Sequence, residues 1–214
     1  GHKPMATPDR LIVGITGASG VILGVRLLEA LRNTKVESHL VMTKTAELTL
    51  AYETDLKPAD IKKLADVVHP IGDLGASLSS GSFRTIGMVI APCSIRTLSE
   101  IATGVTSNLL TRAADVVLKE RRRLVLSVRE TPLHTGHLRS MVTVSEIGAI
   151  VAPPVPAFYT RPETTDDIVK QTAGRLLDLF QIETPLVQRW DKVRQKRNKR
   201  DTTRNRRRST NLRM

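Results

Sequence analysis

Residues 10–20 read RLIVGITGASG, an apolar run that breaks into a glycine-rich turn. The run Leu11 to Thr16 suits a strand covered on both faces. It then breaks into Gly17-Ala18-Ser19-Gly20, a turn whose glycines let the backbone come close to a ligand. From Val21 the period changes, and Ile22, Val25, Leu28 and Leu31 recur on one helical face. Strand, glycine-rich turn and helix in succession open a parallel α/β sheet.

The rest of the chain repeats the alternation. Apolar runs at 38–43, 88–92, 124–128 and 149–153 read as further buried strands. Helical patterns lie between and after them, over 59–65, 97–102, 108–119, 136–147 and 164–180. Thr164-Thr165-Asp166-Asp167 supplies a cap and negative charge for the start of the last helix. The expected fold is a doubly wound parallel sheet in three layers, α/β/α, as one domain over residues 10–190.

Composition bounds the function. The net charge is +12, but residues 191–214 carry 11 Lys/Arg against 2 Asp, leaving only +3 on the body. That basic tail has too few apolar residues to bury a core and is expected to be disordered. It is a solvated extension or a nonspecific electrostatic contact. The body offers few aromatics for base stacking, so a nucleic-acid partner is disfavoured. No apolar stretch nears the roughly 20 residues needed to cross a bilayer. The opening GHKPM lacks signal-peptide shape and resembles a cloning remnant. A single cysteine, Cys93, cannot form an internal disulfide, which points to a reducing, cytoplasmic setting.

In an open parallel sheet, the loops after the strands line one ligand-binding edge. Here they hold Gly17 to Gly20, Thr43-Lys44, PCSIRT (92–97), RETPLH (129–134) and PPVPAFYTRP (153–162). The first loop lacks the dinucleotide spacing G-x-G-x-x-G, and no acid ends strand two to grip a ribose diol. The G-K-[ST] ending of an ATP loop is missing too. The N–H groups opening the Val21 helix favour an anion. A flavin mononucleotide, which has no adenosine ribose, fits; a merely structural turn is the other reading. Ser94, Arg96 and Thr97 at a helix start form another anion seat, whereas an ordinary N-cap accounts for Ser94 alone. Cys93 reads as a buried small residue rather than a nucleophile. The serine-rich loop 76–85 reads equally as a cover over a ring system or an exposed turn. His134 and His137 lack a third ligand at metal-site spacing, so phosphate must be neutralised by arginine and lysine. Only six aromatics occur, and Phe158 and Tyr159 sit together in a proline-stiffened loop. That loop is either a rigid surface segment or a lid whose Tyr159 hydroxyl reaches a phosphate.

Taken together, GITGASG, ETD, SSGSF, PCSIRT, RAADVVLKERR, RETPLH and PPVPAFYTRP stand in one order over residues 10–190. In that order the chain resembles the flavin prenyltransferases, the UbiX and phenylacrylic-acid-decarboxylase-like proteins. The resemblance implies a flavodoxin-like subunit of a homo-oligomer, typically a dodecamer, with its site at subunit junctions. It implies transfer of a dimethylallyl group from dimethylallyl monophosphate to N5 and C6 of reduced FMN, without metal. The product, prenylated FMN, would serve a UbiD-type decarboxylase.

By position, Gly17, Ala18, Ser19, Thr43, Ser94, Ile95, Arg96, Thr97 and Arg129 match the family's FMN contacts. Thr43 stands where serine is usual, and Arg96 where lysine is common. Lys119, Arg129, Tyr159 and Arg175 match residues around the prenyl phosphate. Glu53 and Glu130 match acidic residues near the reacting flavin, and Ser19 lies close enough to influence chemistry. Arg112 and Trp190 match supporting positions. The FMN-dependent cysteine decarboxylases share the scaffold but carry a catalytic histidine near the place of Tyr52-Glu53-Thr54, where this chain has none.

Overall fold

A computed structural model of the chain describes residues 8–191 and 193–195. Six strands form one parallel sheet: β1 (Arg10–Ile15), β2 (Glu37–Met42), β3 (Val67–His69), β4 (Gly87–Cys93), β5 (Arg123–Val128) and β6 (Ala149–Val151). Their order is β3-β2-β1-β4-β5-β6, and every pairing is parallel. The five expected strands are all present. Without the short edge strand β3, they keep the flavodoxin-like order. β6 stops at Val151, and the prolines that follow cannot donate to a ladder.

The helices are α1 (Ile22–Leu31), α2 (Lys44–Glu53), α3 (Pro58–Lys62), α4 (Ile95–Thr103), α5 (Leu109–Lys119), α6 (Thr135–Glu146) and α7 (Thr165–Asp178). Neither β3 nor α2 is apparent in the sequence. β3 has three residues, and α2 buries only Ala46 and Leu50, too few for a periodic signal.

Side chains alternate along each strand and feed two cores, one per sheet face. Leu11, Val13 and Ile15 join Leu27, Leu28 and Leu177 on one side. Ile12 joins Met88, Ile90, Leu110 and Leu126 on the other. Burial on both faces makes these strands read as unbroken apolar runs. The chain leaves β1 toward β2 and resumes on its other flank at β4, so a crevice opens at the carboxyl ends of those two strands.

Local chemistry sets the helix ends. Thr164 Oγ1 accepts from the Asp167 N–H at 3.1 Å, and Asp167 Oδ2 accepts from the Thr164 N–H at 2.9 Å. Asp166, on the same turn, pairs with Lys170 at 2.7 Å and Arg26 of α1 at 2.7 Å. Those two partners, Lys170 first, hold its carboxyl below the ordinary aspartate range. Thr164→Ala should cost about 1 kcal/mol and lower Tm by about 2–4 °C; a thermal melt of the variant checks this.

His134 caps α6: its Nδ1 accepts from the His137 N–H at 3.3 Å, and the two rings stack 3.5 Å apart. Among the described residues no group of three or more metal-ligand side chains occurs. Cys93 is fully buried, and burial pushes its thiol up to about 12. The serine-rich loop is pinned to the body, since Arg122 donates to the carbonyls of Phe83 and Gly81 at 2.8 and 2.7 Å. Asp191 and residues 193–195 continue a helical turn from Trp190. The tail expected to be disordered, residues 191–214, lies outside the described residues except at these four positions, which are helical. No helix among the described residues is long and apolar enough to cross a membrane.

Candidate functional site

At the crevice, Thr16 Oγ1 donates to the Pro92 carbonyl at 2.7 Å and accepts from the Ser94 N–H at 2.9 Å. This bolts the ends of β1 and β4 together. The glycine turn is then seated on α2. Thr49 Oγ1 donates to the Gly17 carbonyl at 2.8 Å. A Cβ at Gly17 would lie 2.5 Å from the Thr45 Cβ, so only glycine fits there. Gly20 has φ +96°, a conformation side chains rarely adopt.

Beside this turn lies a cavity of about 690 Å³, within the range of small-molecule sites. Gly17, Ala18, Ser19, Thr43, Ser94, Ile95, Arg96, Thr97, Arg129 and Glu130 all line it. Four loops separated in sequence thus meet at one place. The cavity also receives the cap residues of three helices. Thr43 Oγ1 accepts from the Ala46 N–H at 3.0 Å at the start of α2, and Ser94 Oγ from the Thr97 N–H at 3.2 Å at α4. Asn108 Oδ1 accepts from the Thr111 N–H at 3.0 Å at α5. Three positive helix ends, with Lys44, Arg96 and Arg129, favour an anionic ligand despite Glu100 and Glu130.

One expectation is corrected. The amide groups at the start of α1 are not open to a ligand anion, because the chain's own Glu53 takes them. Its carboxylate accepts from the Gly20 N–H at 2.9 Å and the Val21 N–H at 3.2 Å. An external phosphate is left with the starts of α2, α4 and α5. Arg129 donates its backbone N–H to the Cys93 carbonyl, while its side chain has no hydrogen-bond partner among the described residues. Glu130 Oε1 accepts from the Thr131 N–H at 2.9 Å.

A larger hollow of about 920 Å³ lies at the opposite, amino edge, among Asn33, Arg121 to Arg123 and Phe180. It includes none of the carboxyl-edge loops, and Arg122 and Arg123 are spent on main-chain carbonyls. The carboxyl-edge cavity is the better candidate.

The family model described as Flavoprotein matches residues 2–177. The flavin prenyltransferase UbiX of Escherichia coli is 61% identical over 184 residues, covering 85% of this chain and 97% of that relative. The chain belongs to the UbiX family of flavin prenyltransferases. A crystal structure of AnUbiX in complex with FMN and dimethylallyl pyrophosphate is 51% identical, with a TM-score of 0.85 over 86% of this chain and 98% of that one. A dodecameric FMN-dependent UbiX-like decarboxylase from Escherichia coli is 52% identical, with a TM-score of 0.83 over 85% and 98%.

Not every position matched to UbiX motifs meets in a single chain. Lys119 pairs with Glu120 at 2.6 Å and Arg175 with Asp178 at 2.5 Å. The Tyr159 hydroxyl donates to the Gln188 carbonyl at 3.3 Å, and its ring meets Trp190 edge-on at 5.3 Å. None of the three lines the cavity, and neither does Phe158, which is exposed. Within one chain, then, the Phe158–Tyr159 loop does not lie over the cavity. Arg112 ties α5 to the serine-rich loop through the Ser79 carbonyl at 3.3 Å.

Sequence reading overlooked Thr16, Thr45, Ile71, Glu100, Ser107 and Asn108 in the cavity wall. Asn108 and Thr111 carried a signal, being three residues apart at a helix start, as in a capping box.

Proposed function

We propose that this chain joins a dimethylallyl group from dimethylallyl monophosphate to N5 and C6 of reduced FMN. The product is prenylated FMN for a UbiD-type decarboxylase. The observation that carries this reading is the meeting of the four UbiX-like flavin loops on one cavity fed by three helix starts.

The donor set suits a flavin mononucleotide. The cavity has hydroxyls on Ser19, Thr43, Ser94 and Thr97 and cations on Arg96 and Arg129, beside a turn too tight for a Cβ at Gly17. When bound, reduced FMN supplies the electron-rich atoms that take the five-carbon unit. The chain's residues do the rest. Arg129, whose side chain has no partner among the described residues and lies beside Gly20, stabilises the charge that grows on phosphate as the allylic carbon–oxygen bond breaks. Ser19, exposed at the turn, orients the reacting groups. Glu53, or the departing phosphate, accepts the proton given up at C6, and Glu130 supports the same region.

Lys119, Tyr159 and Arg175 come from neighbouring copies in this proposal. α5 starts at the cavity and runs 11 residues to Lys119, a rise of about 16 Å. That is too far for Lys119 to join Arg129 within one chain. A dodecameric relative supports assembly of the site at subunit junctions.

The test is the mass of the flavin after anaerobic incubation of the assembled protein with reduced FMN. Dimethylallyl monophosphate and diphosphate are supplied in separate arms. Gain of one five-carbon unit in the monophosphate arm is expected. An unaltered flavin in both arms would refute the activity.

A further inference from the structure

Arg96 stands in the cavity wall, and its surroundings fix which part of its guanidinium is free. Its Nε donates to Glu100 Oε1 at 3.1 Å, one turn along α4. The other oxygen of Glu100 accepts from Ser107 Oγ at 2.7 Å. All three residues line the cavity. The Glu100 side chain is 14% exposed, whereas that of Arg96 is 80% exposed. The carboxylate is therefore the anchored partner and the guanidinium the free head.

An exposed pair in this order along a helix adds little to stability. Its effect is geometric. Because Glu100 engages Nε, both terminal Nη groups are left without a partner among the described residues. Those groups form a planar fork that matches two oxygens of a phosphate. Lysine has one ammonium and could not hold the carboxylate and present such a fork together. Without arginine, Glu100 would set a bare negative charge in an anion-binding cavity.

We propose that Glu100 is a positioning residue: braced by Ser107, it holds Arg96 so that the Nη fork meets a phosphate monoester in the cavity. This rests on the flavin reading above. The phosphate belongs either to the flavin or to the prenyl donor, and the experiment separates the two.

Dissociation constants for FMN and riboflavin, which differ by the phosphate, are measured on the assembled full chain. The KM for dimethylallyl phosphate is measured alongside. If the flavin phosphate is held, Glu100→Ala weakens FMN binding by about tenfold, leaves riboflavin unchanged, and Glu100→Gln, which keeps an acceptor oxygen, recovers most of the loss. If the donor phosphate is held, both flavins bind as before and the KM rises by about tenfold at nearly constant kcat. In either case the double variant Arg96→Ala with Glu100→Ala handles the phosphate better than Arg96→Ala alone, because the stranded carboxylate is gone. Unchanged FMN affinity and KM in Glu100→Ala would overturn the proposal, as would a double variant no better than the single. Should Glu100→Ala fail to assemble, Ser107→Ala must show a smaller loss in the same readout, and no loss there overturns it equally. A wild-type protein that binds neither flavin would instead refute the function itself.

Discussion

Glu53→Gln should slow formation of the prenylated product by about 100- to 10,000-fold while FMN still binds. The Glu53 carboxylate sits at the start of α1. Its two oxygens accept from the Gly20 and Val21 amides, which closes the glycine turn on the last residue of α2. Glutamine offers one carbonyl oxygen to those amides, so the turn keeps its shape. Its amide nitrogen cannot take up a proton at neutral pH, so the base that the proposed mechanism assigns to ring closure is lost. Glu53→Ala differs by removing the turn's partner as well, at a cost of about 1 kcal/mol in stability, by analogy with a lost helix cap. Anaerobic single-turnover kinetics, with FMN binding measured by fluorescence, separates these effects. A Gln variant that closes the ring at the native rate would assign the proton to the departing phosphate.

Two inactive variants should restore one another's activity when co-expressed. Lys119→Ala and Arg129→Ala each remove a cation that the proposed phosphate site needs. If those cations come from different copies, a mixed oligomer contains some junctions with both. For two-chain junctions at equal mixing this is about a quarter of all sites. Each variant alone should fall to a few per cent or less of native activity, as expected for losing a transition-state charge contact. Their mixture should therefore stand well above either parent. Activity no higher than that of the parents would place both side chains in one chain's site, against the distance along α5.

Both predictions turn on features that differ in how they could be read. The sheet and its ligand edge follow from local pattern. Leu11 to Ile15 alternates its side chains between two cores, so it carries no polar side chain, and that shows in the sequence. The caps at Thr164, Ser94 and Asn108 lie within three residues of the amides they satisfy, so they too carry a local signature. α2 has no such signature, because most of its surface is exposed and the glycine it holds through Thr49 is 32 residues away.

The parallel α/β class, the glycine turn and the four loops destined for one edge are all legible from local pattern, because periodicity and turn chemistry act between near neighbours. That Glu53 fills the start of α1 is a matter of long-range packing. So are the grip of Glu100 on Arg96 Nε and the distance of Lys119, Tyr159 and Arg175 from the cavity. Such contacts depend on where crossovers return the chain and on which backbone amides are left open. Neither quantity has a residue pattern of its own.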